Sequence, residues 1–181
     1  MHLQQAKPAP ALDHWIHSYR EYAFAPSDAA AFTNLPGTGA ELWLLNSGML
    51  HQAESCVGDG LLCLRSRRLV FRQSGLRVFA IRFRVGSLPF FTDQPLARLI
   101  DHYTPTGVLW NDSALLKLAA LRQSPSFQEQ CHLADRFLTR RLRPARQLER
   151  MRQLATVMYE QGADFAVTDY AAQLHRNPSH L

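Results

Sequence analysis

The sequence predicts an α+β protein. A small antiparallel β-barrel or jelly-roll is expected over residues 1–110, a helical pair over 111–143, and the start of a helix-turn-helix over 144–181. Three observations carry this. The first 110 residues hold short apolar runs separated by glycine-containing turns, the pattern of many short strands. The next stretch has apolar residues at helical spacing, broken by Ser124-Pro125. The last stretch sets a short apolar face directly before Asn177-Pro178, a capping pair that opens a new helix.

The clearest strands are 40–46 and 76–84. In the second, Phe79, Ile81 and Phe83 fall on one face and Ala80, Arg82 and Arg84 on the other, a period of two. Leu61-Leu62-Cys63-Leu64 and Leu69-Val70-Phe71 read as further short strands. Gly58-Asp59-Gly60 and Gln73-Ser74-Gly75 supply turns between them. In the helical stretch, Leu115, Leu118 and Ala119 form the stripe of a first helix. Leu133, Phe137 and Leu138 point inward from a second. Such a face is either cover for the barrel or a dimer interface, and Leu133 and Phe137 are its candidate contact residues. From Pro144 a third helix places Leu148, Met151, Ala155 and Met158 on one face and ends at Gly162.

The end of the chain is the most telling for function. Val167, Tyr170, Ala171 and Leu174 lie at i, i+3, i+4 and i+7, one buried face of a short helix. His175-Arg176 makes a tight connection before Asn177-Pro178. Two short helices joined this closely, the second opening on exposed polar residues, is the geometry that lays a recognition helix in a major groove. Arg176, Ser179 and His180 are the candidate DNA-contacting residues. Leu181 closes the sequence within about one turn of that helix's start, so the reader is expected as a stub, without sequence-specific binding of its own.

Val167-x-x-Tyr170-Ala171-Ala172-x-Leu174-x-x-Asn177-Pro178-x-His180-Leu181 resembles the first helix-turn-helix of AraC-type transcriptional regulators. Asn177 stands where that family usually has Ser, an exchange of one capping residue for another. His175 stands where it often has Gly at positive φ. Upstream, Leu35-Pro36-Gly37-Thr38-Gly39-Ala40-Glu41-Leu42-Trp43 and Ile81-Arg82-Phe83-Arg84-Val85-Gly86 resemble paired segments of the family's amino-terminal domains, with Thr38-Gly39 and Val85 as departures. The resemblance implies a cupin-like sensor domain, a small-molecule effector, DNA as partner and a homodimer. Candidate pocket residues for such an effector are Trp43, Phe71, Phe79 and Phe83 as an apolar wall, with Glu41 or Arg82 as a polar anchor. The same aromatics also suit a packed barrel core.

Composition bounds the alternatives. Hydrophobic residues make up 46% of the 181-residue chain and charged residues 19%, values of an ordinary folded protein. No signal peptide or membrane-spanning run is recognised, and a soluble, cytosolic protein is expected. The net charge is +5, with a cluster of Arg136, Arg140, Arg141, Arg143, Arg146, Arg150 and Arg152 before the helix-turn-helix, suited to neutralising phosphates. Cys56, Cys63 and Cys131 lack metal or disulfide spacing. The eight histidines include no His-x-His pair of the kind a metal cupin needs, and no Gly-x-Ser-x-Gly or phosphate loop is present. Glu54 and Asp59 read as solvated turn residues. No cofactor, no metal and no enzyme activity are expected. The alternatives are a free-standing cupin-like enzyme or small-molecule-binding protein, and a domain that only dimerises.

Overall fold

The computed structural model describes residues 2–25, 31–34 and 39–143, together with positions 150, 153–154, 156–158 and 172, which are helical. Eight antiparallel strands make one sheet: β1 (His2–Ala6), β2 (Ile16–Ala23), β3 (Ala31–Asn34), β4 (Glu41–Gln52), β5 (Ser55–Val57), β6 (Gly60–Leu62), β7 (Leu69–Phe83) and β8 (Tyr103–Pro105). Three helices follow: α1 (Thr106–Leu109), α2 (Asp112–Arg122) and α3 (Phe127–Arg141). The sheet order is β1-β2-β7-β4-β6-β8, with β3 added to β7 and β5 to β4. Among the described residues β1 and β8 do not pair, so the sheet is not closed.

Two long strands organise this sheet. β4 and β7 pair from Glu41↔Arg82 to Gln52↔Phe71, and each carries different neighbours on its two halves. The first half of β4 holds β6 and its second half holds β5, while β7 holds β3 at its start and β2 at its end. Between the halves the ladder slips twice, at Leu45/Ser47 and Ser47/Met49. Gly48 takes φ +79 there, and a Cβ on it would lie 2.5 Å from the carbonyl oxygens of Ser74 and Gly75. Only glycine fits that angle and that approach.

This bend corrects one expectation. Gln73-Ser74-Gly75 was expected to reverse the chain, but the strand runs through it. Gly75 at φ +55 kinks β7 without turning it, and the Gln73 side chain accepts a hydrogen bond from the Leu76 backbone N–H at 3.2 Å. Turn chemistry and bulge chemistry use the same residues, and a long partner strand decides between them.

Both faces of the sheet are covered. One bears Tyr19, Leu42, Leu44, Phe79, Ile81 and Phe83, packed in one cluster with Leu118 and Leu121 of α2 and Ala134, Phe137 and Leu138 of α3. The other collects Trp43, Leu62, Val78 and Ala80 from one half of the sheet with Leu50, Leu69 and Phe71 from the other, plus Tyr103. Because both halves meet there, we call it the inner face.

Local chemistry explains where the helices begin. Asn111 and Ser126 cap α2 and α3 by accepting from the Ala114 and Glu129 N–H groups. The break between them includes Ser124-Pro125. The buried stripe of α2 is Ala114, Leu118 and Leu121, turned from the expected Leu115, Leu118 and Ala119, and Leu116 faces solvent. Within the chain the apolar face of α3 lies on the sheet, with Phe137 only 5% exposed and Leu133 partly buried against the same cluster. Polar latches fix the seating. Tyr19 donates to Asp135 at 2.6 Å, and Gln130 exchanges amide hydrogen bonds with Asn46 at 3.1 and 3.3 Å. Both tie α3 to strands, and a buried hydroxyl or amide left without such a partner would be costly.

Candidate functional site

The inner face carries the polar-aromatic constellation closest to the sequence expectation. Alternation along β4 puts Glu41, Trp43 and Leu45 on one side, and along β7 it puts Val78, Ala80 and Arg82 there. Glu41 and Arg82 are direct cross-strand partners, and Arg82 is flanked on its other side by Ser18 of β2. One row further, Arg20 lies opposite Ala80, which in turn lies opposite Trp43. Arg20 Nη1 donates to the Tyr22 hydroxyl at 3.2 Å, and that hydroxyl donates to Glu41 Oε1 at 3.1 Å. A relay of guanidinium, phenol and carboxylate therefore runs along the sheet.

Below the relay is an aromatic run. Tyr22 and Trp43 have ring centroids 6.4 Å apart, Trp43 and Phe71 6.1 Å, and Phe71 and Tyr103 5.6 Å. Tyr103 is held by its hydroxyl on the Gly58 carbonyl at 2.6 Å. Electrostatics reflect the crowding. Burial, then the Glu41 carboxylate, pushes the Tyr22 phenol above its ordinary range. Burial lowers Arg65, whose nearest charges include Glu41 and Arg82. His17 is lowered by burial and then by Arg82, Arg20 and Arg84. Arg20, Arg65 and Arg82 gather near one carboxylate beside a buried aromatic cluster, a set of groups able to hold a small polar ligand by charge and hydrogen bonding.

Of the six expected effector residues, the structure brings together Glu41, Trp43, Phe71 and Arg82. It places Phe79 and Phe83 on the opposite face, where Phe79 packs on Tyr19 and Phe127 and Phe83 on Phe91, all with centroids 5.4–5.9 Å apart. The sequence pattern already separated Phe79 and Phe83 from Arg82, but did not say that both faces are covered. Arg20, Tyr22, Arg65 and Tyr103 were missed. Alternation in β2 was the available signal for the first two. The others depend on tertiary contacts.

Arg176, Ser179 and His180 lie outside the described residues, as do Arg146 and Arg152 of the basic cluster. Among the described residues no three His, Cys, Asp or Glu side chains converge as a metal site, and no helix is long and apolar enough to cross a membrane. His51 pairs across the β4–β5 hairpin with Cys56. Comparison with known proteins finds no matching family model, no matching curated protein and no matching solved structure.

Asp59, expected as a solvated turn residue, is instead a tie. Its Oδ1 accepts from the Leu45 N–H at 2.8 Å, its Oδ2 lies 3.5 Å from Arg122 Nη1, and its backbone carbonyl accepts from Thr106. Burial raises its pKa above the usual carboxylate range, opposed by the Leu45 hydrogen bond and Arg122. A carboxyl raised on folding holds more protons in the native state than in the unfolded one. Its contribution therefore falls as pH rises from the ordinary Asp value through the raised one. Asp59→Asn keeps an acceptor for Leu45 and removes this titration. The stability of the variant relative to the parent should climb as pH rises above the ordinary Asp range of about 4. Parallel stability–pH curves in urea titrations would contradict that assignment.

Proposed function

We propose that this chain is the sensor and dimerisation portion of an AraC-type DNA-binding transcriptional regulator, with a cupin-like sheet that binds a small-molecule effector on its inner face. The observation that carries the effector part is the Arg20–Tyr22–Glu41 relay beside Arg82, set over Trp43. The regulator part rests on the helix-turn-helix resemblance at 167–181 and the arginines that precede it. The inner face and the helix-covered face share strands β4 and β7. A ligand preferring one setting of those strands would thus bias the helices seated on their reverse side, and its differential affinity sets how far.

The homodimer belongs to the same proposal. Phe137 and Leu133 are engaged within the chain, so dimerisation through the helical pair would use its outward side, where Leu116 is 73% exposed. Two measurements test the reading. The protein as the cell makes it, offered random duplex DNA at physiological salt, should enrich a sequence with two related half-sites. Enrichment of no sequence would sink the regulator assignment. Light scattering should report a dimer that Leu116→Glu converts to a folded monomer, and a parent chain monomeric at high concentration would remove the dimerisation claim.

A further inference from the structure

A cleft lies away from the inner face, where the helical pair meets the segment after β7. Its volume is about 420 Å³, within the range of small-ligand pockets. Trp110 and Phe137 form its aromatic floor, ring edge to face with centroids 5.5 Å apart. Trp110 is fixed by its indole N–H on the Phe91 carbonyl at 2.8 Å. The Arg141 guanidinium lies 4.9 Å from the Phe137 centroid and 5.4 Å from that of Trp110, so it is held over the floor.

The charge balance of this cleft is one-sided. Lys117 of α2 and Arg140, Arg141 and Arg143 at the end of α3 line it, against the single carboxylate of Asp93. Four cations less one anion leave three positive charges. Arg143 is the residue that Asp93 neutralises, and its backbone N–H is tied to the Phe90 carbonyl at 3.0 Å. Among the described residues Lys117, Arg140 and Arg141 have no acidic partner within salt-bridge distance. Burial, then the neighbouring Arg143, lowers the Arg141 pKa, so the existing surroundings disfavour its charge and an anion would relieve it.

We propose that this cleft is a binding site for a small aromatic dianion, of the aryl phosphate or aryl dicarboxylate class. The ring would stack on the outer face of the Arg141 guanidinium, which itself lies over Trp110 and Phe137, and the anionic group would be met by Lys117 and Arg140. A duplex backbone is the competing occupant of basic side chains, but a walled cleft with an aromatic floor suits one compact anion rather than a row of phosphates. The site is independent of the effector reading for the inner face and stands or falls separately.

Calorimetric titration of the chain with phenyl phosphate and with phthalate, at about 0.15 M salt, tests this. At least one of the two should bind saturably at one site per chain. Which one binds separates phosphate from dicarboxylate recognition. Benzamidine, a cation with the same ring, should not bind. Lys117→Gln with Arg140→Gln should weaken binding at least about tenfold, roughly 1.4 kcal/mol. Both residues are solvent-facing, so melting should not move; if the pair of substitutions lowers it, each single variant is titrated instead and must weaken binding on its own. No saturation by about 1 mM of either dianion, equal affinity in parent and variants, or binding of duplex DNA alone would each overturn the proposal.

Discussion

Phe137→Ala is expected to lower the stability of the chain by about 3–5 kcal/mol, the range for truncating a buried aromatic. Phe137 is 5% exposed, meets Trp110 edge to face, and has the Arg141 guanidinium 4.9 Å from its centroid. Removing the ring leaves a void beneath an indole that stays tied to the Phe91 carbonyl, so collapse around the gap is restricted. In urea the midpoint should fall with little change in slope, and the melting temperature should drop by roughly 10 °C for a chain of this size. Leu133→Ala, at a partly buried site, should cost less. The two positions were read from sequence as a dimer contact or as intramolecular cover. A loss below about 1 kcal/mol accompanied by a change from dimer to monomer would return α3 to the interface, against the packing seen here.

The second large effect is expected at Arg77→Ala. Glu21 is 2% exposed, and its two carboxylate oxygens take hydrogen bonds from Arg77 Nε and Nη2 at 3.0 and 3.2 Å. The Arg77 side chain is itself half exposed, so the pair sits at the boundary of the sheet face, with the carboxylate inside. Neutralising the guanidinium leaves a buried charge without its forked partner, which costs about 3 kcal/mol even at the lower end for such pairs. Glu21→Leu added to Arg77→Ala should recover most of that loss, because a well-packed apolar side chain needs no counter-charge. Additive losses in the double variant would show that the two side chains act separately. Glu21→Gln alone should cost less than Arg77→Ala, since a neutral amide can still accept from the guanidinium.

Several elements were legible in the residues because they depend on local chemistry. Helices α2 and α3 were legible from apolar spacing and from the Ser124-Pro125 break, both of which act within a turn or two of chain, although in α2 Leu121 is buried where the spacing named Ala119. The facing of Phe79, Ile81 and Phe83 against Ala80 and Arg82 follows from the two-residue period of any strand. The candidate site was legible in part for the same reason. Glu41 and Arg82 were singled out separately, and their direct pairing is a consequence of β4–β7 register that no local signal contains.

What the sequence by itself determined is therefore the class, α+β with strands before helices, together with the break between α2 and α3, the alternation of the 76–84 strand and the cationic skew of the chain around α3. Each rests on interactions between residues close in sequence. Only the tertiary structure decided that 73–75 bends a fifteen-residue strand rather than ending one, because the choice depends on Gly48 lying against Ser74 and Gly75 across the ladder. It alone decided that Asp59 ties β4 to α2, that the aromatics divide between two covered faces, and that Lys117 joins Arg140 and Arg141 over Trp110. Those outcomes are set by contacts between residues tens of positions apart. Their energies depend on register and burial, which exist only once the chain has folded.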